Sequence, residues 1–114
     1  VLNLKRVYDP LGPDDGRRIL VDRLWPRGLT RESAAIDAWL KELAPSDQLR
    51  RWFGHDPERW EGFRTSYINE LAAHADLLEQ LRSESGQATL TLVYAAKDIH
   101  HNNAVILKSM IESV

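Results

Sequence analysis

The chain has 114 residues, 43% of them hydrophobic and 28% charged, with a formal net charge of −2. That composition fits one compact globular domain with an ordinary core, and the charge gives no global drive toward nucleic acid or an anionic membrane. Cysteine is absent, which removes thiolate nucleophiles, thiol redox chemistry, disulfides and Cys-ligated zinc together.

No apolar run approaches the roughly 20 residues of a membrane span, and the amino terminus lacks the charged-then-apolar layout of a signal peptide. A soluble, cytoplasmic protein without membrane association is expected. Leu2 to Tyr8 reads as a strand with mixed faces, which suits a sheet edge. Asp9 to Gly16 is dense in Pro, Gly and Asp and forms a connection. Arg18 to Leu24 then reads as a central strand. Asp22 lies inside it and requires a hydrogen-bonding or charged partner, an arginine being the expected one. Trp25-Pro26-Arg27-Gly28 ends the strand, since Pro lacks the ladder donor and Gly permits positive φ.

Thr30 is a plausible N-cap, and Ile36, Trp39, Leu40 and Leu43 recur at helical spacing, so a helix is expected there. Ser46 caps a short helix carrying Leu49, Trp52 and Phe53, which ends at Gly54. Asp56-Pro57 is a stronger start signal, because Pro at the first helical position loses no needed donor. Trp60, Phe63, Tyr67 and Leu71 then form one apolar stripe, the main amphipathic helix running to about His74. A second helical piece carries Leu77, Leu78 and Leu81 up to Gly86. Ala88 to Ala96 is β-branched and apolar without a breaker, hence a buried strand. A polar turn at Lys97-Asp98 leads to a helix beginning near Asn102 or Asn103, with Ile106, Leu107, Met110, Ile111 and Val114 on its core face.

Strand, strand, helices, strand, helix implies one small α/β domain over residues 1–114, with a short, mainly parallel sheet and flanking helices. The stretch between Leu24 and Ala88 is long enough for a crossover connection. In such sheets ligands sit beyond the carboxyl ends of the strands. The two polar turns, Val21 to Gly28 and Lys97 to Asn103, are therefore expected to line one crevice.

Four phrases together resemble one family: V-D-R-L-W-P-R-G at 21–28, W-L-K-E-L-A-P-S at 39–46, R-W-F-G-H-D-P-E-R-W at 51–60 and A-A-K-D-I-H-H-N-N-A at 95–104. They are similar to the YeaO-like branch of bacterial domain-of-unknown-function family 488, over nearly the whole chain. The resemblance implies a small stand-alone cytoplasmic protein and carries no particular reaction with it. Other branches of the wider family end the second turn with Cys-His-Arg where this chain has Asn102, Asn103 and Ala104. They also carry V-D-V-R, similar to a rhodanese strand, where it has Val21, Asp22, Arg23 and Leu24.

The residues themselves indicate a small-anion pocket. Arg23 and Arg27 flank Trp25, so a guanidinium is available to hold a phosphate or carboxylate against a flat apolar wall. Alternatively, Arg23 merely neutralises Asp22 or another buried acid. Lys97, Asp98, His101, Asn102 and Asn103 bring a cation, an acid, a proton carrier and two amides to a helix start. In an enzyme, His101 would be the acid or base and Asp98 would orient it. The bland alternative has an asparagine capping the helix and Lys97 paired with Asp98. His55 completes the ligand-binding set, its neighbour Asp56 being a cap. No metal or cofactor is expected, because His55, His100 and His101 lack ligand spacing and no nucleotide-binding loop appears. A rival reading is a nucleic-acid or protein-binding module using Arg17, Arg18, Arg50, Arg51 and the tryptophans. The lack of a single basic stripe weighs against nucleic acid.

Overall fold

The computed structural model of the chain describes residues 1–113. Val114, expected on the last helix's core face, lies outside the described residues. The strands are β1 (Leu2–Arg6), β2 (Arg17–Leu20), β3 (Ala38–Trp39) and β4 (Leu90–Tyr94). They form one sheet in the order β1-β4-β2-β3, and every pairing is parallel. β1 is thus an edge strand and β2 an inner one, as their sequences indicate. β4 is buried along its whole length, because a central parallel strand is covered on both faces.

The helices are α1 (Arg31–Ala34), α2 (Asp47–Phe53), α3 (Trp60–Leu71), α4 (Ala75–Gln87) and α5 (Asn103–Glu112). α5 packs on β1 and β4, with α3 and α4 beside it. Ile19, Leu90, Leu92 and Tyr94 meet Phe63, Tyr67, Leu71, Ile106 and Leu107 in the larger core cluster. The opposite face carries a smaller cluster in which Leu20 and Val93 pack under Val7, Ala34 and Ile36, with Trp25 and Trp39 alongside. No helix is long and apolar enough to cross a membrane among the described residues.

The helix starts follow from local chemistry. Thr30 and Ser33 form a reciprocal capping box at α1, and the Ser46 hydroxyl accepts from the Leu49 N–H at α2. Glu70 of α3 reinforces that cap, accepting from the Ser46 N–H at 2.7 Å and its hydroxyl at 2.6 Å. Asp56 caps a 3-10 turn over Pro57–Arg59 that leads directly into α3. Gly16 enters β2 with φ +63, and a Cβ there would lie 2.1 Å from the Thr89 carbonyl oxygen. Only glycine fits so close a backbone approach.

Three expectations need correction. The helix inferred from Ile36, Trp39, Leu40 and Leu43 is a four-residue α1, the two-residue strand β3 and a 3-10 turn at Lys41–Leu43. Ala38 and Trp39 add to the β2 edge instead, and pairing there outweighs helical spacing. The strand expected over Arg18 to Leu24 ends at Leu20, although the Val21 N–H still donates to the Val93 carbonyl at 3.2 Å. Within the α3 stripe, Phe63, Tyr67 and Leu71 are buried, whereas Trp60 is half-buried at the rim.

Candidate functional site

Beyond the carboxyl ends of β2 and β4 lies an open cleft of about 730 Å³. Three segments wall it. The segment after β2 contributes Asp22, Trp25, Pro26 and Arg27, and the turn closing α2 contributes Arg50, Arg51, Phe53 and His55. The turn after β4 contributes Lys97, Asp98, His101, Asn102 and Asn103. The two sequence-predicted turns thus face one another, and His55 joins them. Arg23 does not line the cleft; its Nε donates to the Pro45 carbonyl at 2.9 Å.

The first segment is held by aromatic donors. Trp25 donates its indole N–H to the Leu29 carbonyl at 2.6 Å and meets Trp39 edge-on, with ring centroids 5.4 Å apart. The Tyr8 hydroxyl donates to the Arg27 carbonyl at 2.8 Å. Gly28 turns the chain at φ +82. The second segment ends α2 with consecutive left-handed residues, Gly54 at φ 54 and His55 at φ 57. For His55 that conformation costs about 1 kcal/mol or more. It sets the imidazole 6.3 Å from the Phe53 ring, which itself stacks on Phe63 at 4.2 Å. Arg50 and Arg51 share one carboxylate, Asp47, at 2.6 and 2.9 Å. The Arg50 Nε–H is shielded from solvent and has no acceptor.

The third segment is braced from within. Asp98 accepts from the His100 and His101 N–H groups at 2.9 Å each, and its other oxygen lies 3.0 Å from His101 Nδ1. The His100 N–H, joined by His101, holds the Asp98 carboxyl below its usual range. The turn ion pair considered for Lys97 and Asp98 is replaced by these contacts. The His101 ring stands edge-on to Trp60 at 5.2 Å. Asn102 caps α5 by accepting from the Val105 N–H at 3.1 Å, while its amide donates to the Asp98 carbonyl at 2.9 Å. Asn103 donates to the Val21 carbonyl at 2.9 Å, tying this turn to the end of β2.

The main departure from expectation concerns Asp22. No arginine pairs with it; its Oδ2 accepts from the Ala95 N–H at 2.8 Å. Burial pushes its carboxyl upward, against the opposing influences of the Ala95 N–H, Asn103 and His55. It also lines the cleft. The arginine failed to arrive because Arg23 points to Pro45 and Arg18 is drawn toward the other end of β2. Arg18 is only 3% exposed and bonds Asp15 at 2.6 Å and the Ala34 carbonyl at 3.0 Å. It is therefore lost to the basic surface of the rival reading as well. Tyr8, Asp22, Phe53 and Phe63 are cleft residues that the sequence did not mark. A signal existed only for Asp22, a carboxylate placed at a strand end among apolar neighbours.

Buried Phe53, Phe63 and Asn102, with half-buried Asp22, make the floor, and exposed Arg27, Arg51, His55 and Lys97 make the rim. Among the described residues, no group of three His, Asp or Glu side chains is gathered to hold a metal ion.

This chain is 42% identical over 113 residues to the uncharacterized protein YeaO of Escherichia coli K12, covering 99% of the chain and 98% of that protein. It is 38% identical over 110 residues to the uncharacterized protein Rv3073c of Mycobacterium tuberculosis H37Rv, covering 96% and 92%. No solved structure matches it. The family profile described as "Inactive DUF488-N3 subclade" matches residues 1–114, and with these full-length relatives it shows that the chain belongs to the DUF488-N3 family.

Proposed function

We propose that the cleft binds a small phosphorylated or carboxylated metabolite and does not transform it. The observation that carries this reading is the rim: Arg27, Arg51 and Lys97 stand exposed around a floor of aromatic side chains. Cations at the mouth of an apolar cleft favour a ligand with an anionic end and a desolvated body. Arg50 lines the cleft beside them.

Binding without turnover is favoured over catalysis by the lining itself. It contains no Ser, Thr or Cys among the described residues, so covalent catalysis through an aliphatic hydroxyl or a thiol has no nucleophile there. Asn102 stands where the resembling branches carry the cysteine of Cys-His-Arg, and both ends of its amide are already engaged in capping and bracing. The description of the family as inactive agrees. The enzyme reading would rest on the His101–Asp98 pair acting on a bound water.

A nucleic-acid surface is disfavoured because Arg17 is engaged by Glu84 at 2.8 Å and Arg18 is buried. The test is calorimetric titration of phenyl phosphate and of inorganic phosphate into the full chain. Phenyl phosphate should bind more tightly than phosphate, and Arg27→Ala with Lys97→Ala should weaken it by about 10-fold or more. Undetectable binding of both probes at millimolar concentration overturns the proposal, as does tight binding of a DNA duplex that the same double variant abolishes.

A further inference from the structure

The cleft combines three kinds of surface: the half-buried Asp22 carboxylate and the Phe53 and Phe63 rings on its floor, Trp25 beside them, and exposed Arg27 and Lys97 at its rim. Within the protein the Asp22 carboxylate accepts from the Ala95 N–H at 2.8 Å, and the Asn103 side chain also favours its charge. Among the described residues it makes no ion pair, unlike the acids Asp15, Asp47 and Asp98. A carboxylate has acceptor sites for several donors, and half-buried Asp22 lines the cleft with sites that the protein does not fill. The fold has cations to spare nearby, but Arg23 is committed to the Pro45 carbonyl. A ligand in the cleft can therefore supply a further donor to Asp22.

We propose that Asp22 is a specificity-determining residue that accepts from the amino group of a bound ligand. The ligand class is then a flat-ringed compound with an amine at one end and a phosphate or carboxylate at the other. This rests on the anion-binding reading for its outer end alone; the inner end is an independent claim. An acid and aromatic rings on the floor with bases at the rim complement a ligand that carries an amine and a flat ring together with an anionic group. A simple inorganic anion fills only the rim, and it leaves the stacked Phe53–Phe63 wall and Asp22 unused. Amines reach such a carboxylate through charge-assisted hydrogen bonds, which are about twice as strong as neutral ones.

Three probes separate the two ends: tyramine O-phosphate, phenyl phosphate, which lacks the amine, and tyramine, which lacks the phosphate. In calorimetric titrations of the full chain, tyramine O-phosphate should bind about 10-fold or more tightly than phenyl phosphate. Asp22→Asn should bring that ratio close to one by weakening tyramine O-phosphate far more than phenyl phosphate. Arg27→Ala should weaken both phosphates alike and preserve the ratio, which keeps the test usable should the Asp22 variant fail to fold. Equal binding of the two phosphates by the native chain overturns this inference and leaves the anion reading intact. Binding of neither phosphate overturns both, and binding of tyramine alone sinks the anion reading while keeping the role of Asp22.

Discussion

β2 has an acid at each end, and the two are treated in opposite ways. Before the strand, Asp15 receives Arg18 at 2.6 Å, Lys5 at 3.1 Å and the Gly12 N–H at 3.2 Å. Burial works against its charge, yet the Gly12 N–H and the two cations hold its carboxyl below the usual value. After the strand, Asp22 has the Ala95 N–H and no cation in contact, and burial pushes its carboxyl up. The same strand therefore carries one acid that two cations hold and one that, among the described residues, is left without an ion pair beside an open cleft. A protein tolerates such a cost where another gain depends on it. That contrast separates scaffold from site more sharply than the distribution of surface charge does.

The comparison breaks first at Asp15. Asp15→Ala strands the buried Arg18 guanidinium with only the Ala34 carbonyl to bond. Removing one partner of a buried pair costs about 3–5 kcal/mol, and urea denaturation should register it. A loss below about 1 kcal/mol would mean that Arg18 finds water or another acceptor, and that the back-face network is not what holds the β1–β4–β2 edge in place.

Asp22 should behave differently. Its folded carboxyl lies above the ordinary value of 3.8, so the native state binds its proton more tightly than the unfolded chain does. The stability linked to Asp22 is then fully present below the ordinary value and is lost as pH rises through the raised one. Asp22→Asn keeps an acceptor for the Ala95 N–H and removes this titration. At about pH 7 the variant should lie within about 1 kcal/mol of the native chain or above it, and at about pH 4 the native chain should gain relative to it. Urea titrations at the two pH values decide the sign. A variant that loses as much as Asp15→Ala would mean that Asp22 belongs to the scaffold.

How much of this is readable without coordinates depends on the range of the interaction. The starts at Thr30, Ser46 and Asp56 and the cap at Asn102 are legible because a cap bond closes within three residues. β4 is legible because a central parallel strand demands an unbroken apolar run. Trp39 is misread because its neighbours Ile36, Leu40 and Leu43 mimic a helix, while the partner that makes it a strand is Leu20. Asp22 is misread for the same reason. Its backbone donor comes from Ala95, 73 positions away, and nothing in V-D-R-L indicates that Arg23 will bond Pro45 instead. The meeting of the two turns follows from strand ends in a parallel sheet; which side chains then point inward does not.

Asp98 sharpens the comparison from the smallest effect. It is an acid of the cleft like Asp22, but more than a third of its side chain is exposed and it is engaged by the His100 and His101 N–H groups and the His101 ring. Its carboxyl lies below the ordinary value, the His100 N–H being the largest cause, so the sign is opposite to that of Asp22. The stability it contributes is present above the ordinary carboxylate value and is lost as pH falls through the lowered one. Asp98→Ala should therefore melt slightly below the native chain at about pH 7, and the gap should close toward about pH 3. Water replaces the lost acceptor at so exposed a position, which keeps the effect the smallest of the three. Melting curves at the two pH values measure it. A gap that widens in acid would show that folding raises the Asp98 carboxyl as it raises that of Asp22, and the two acids of the cleft would then share one sign of pH dependence.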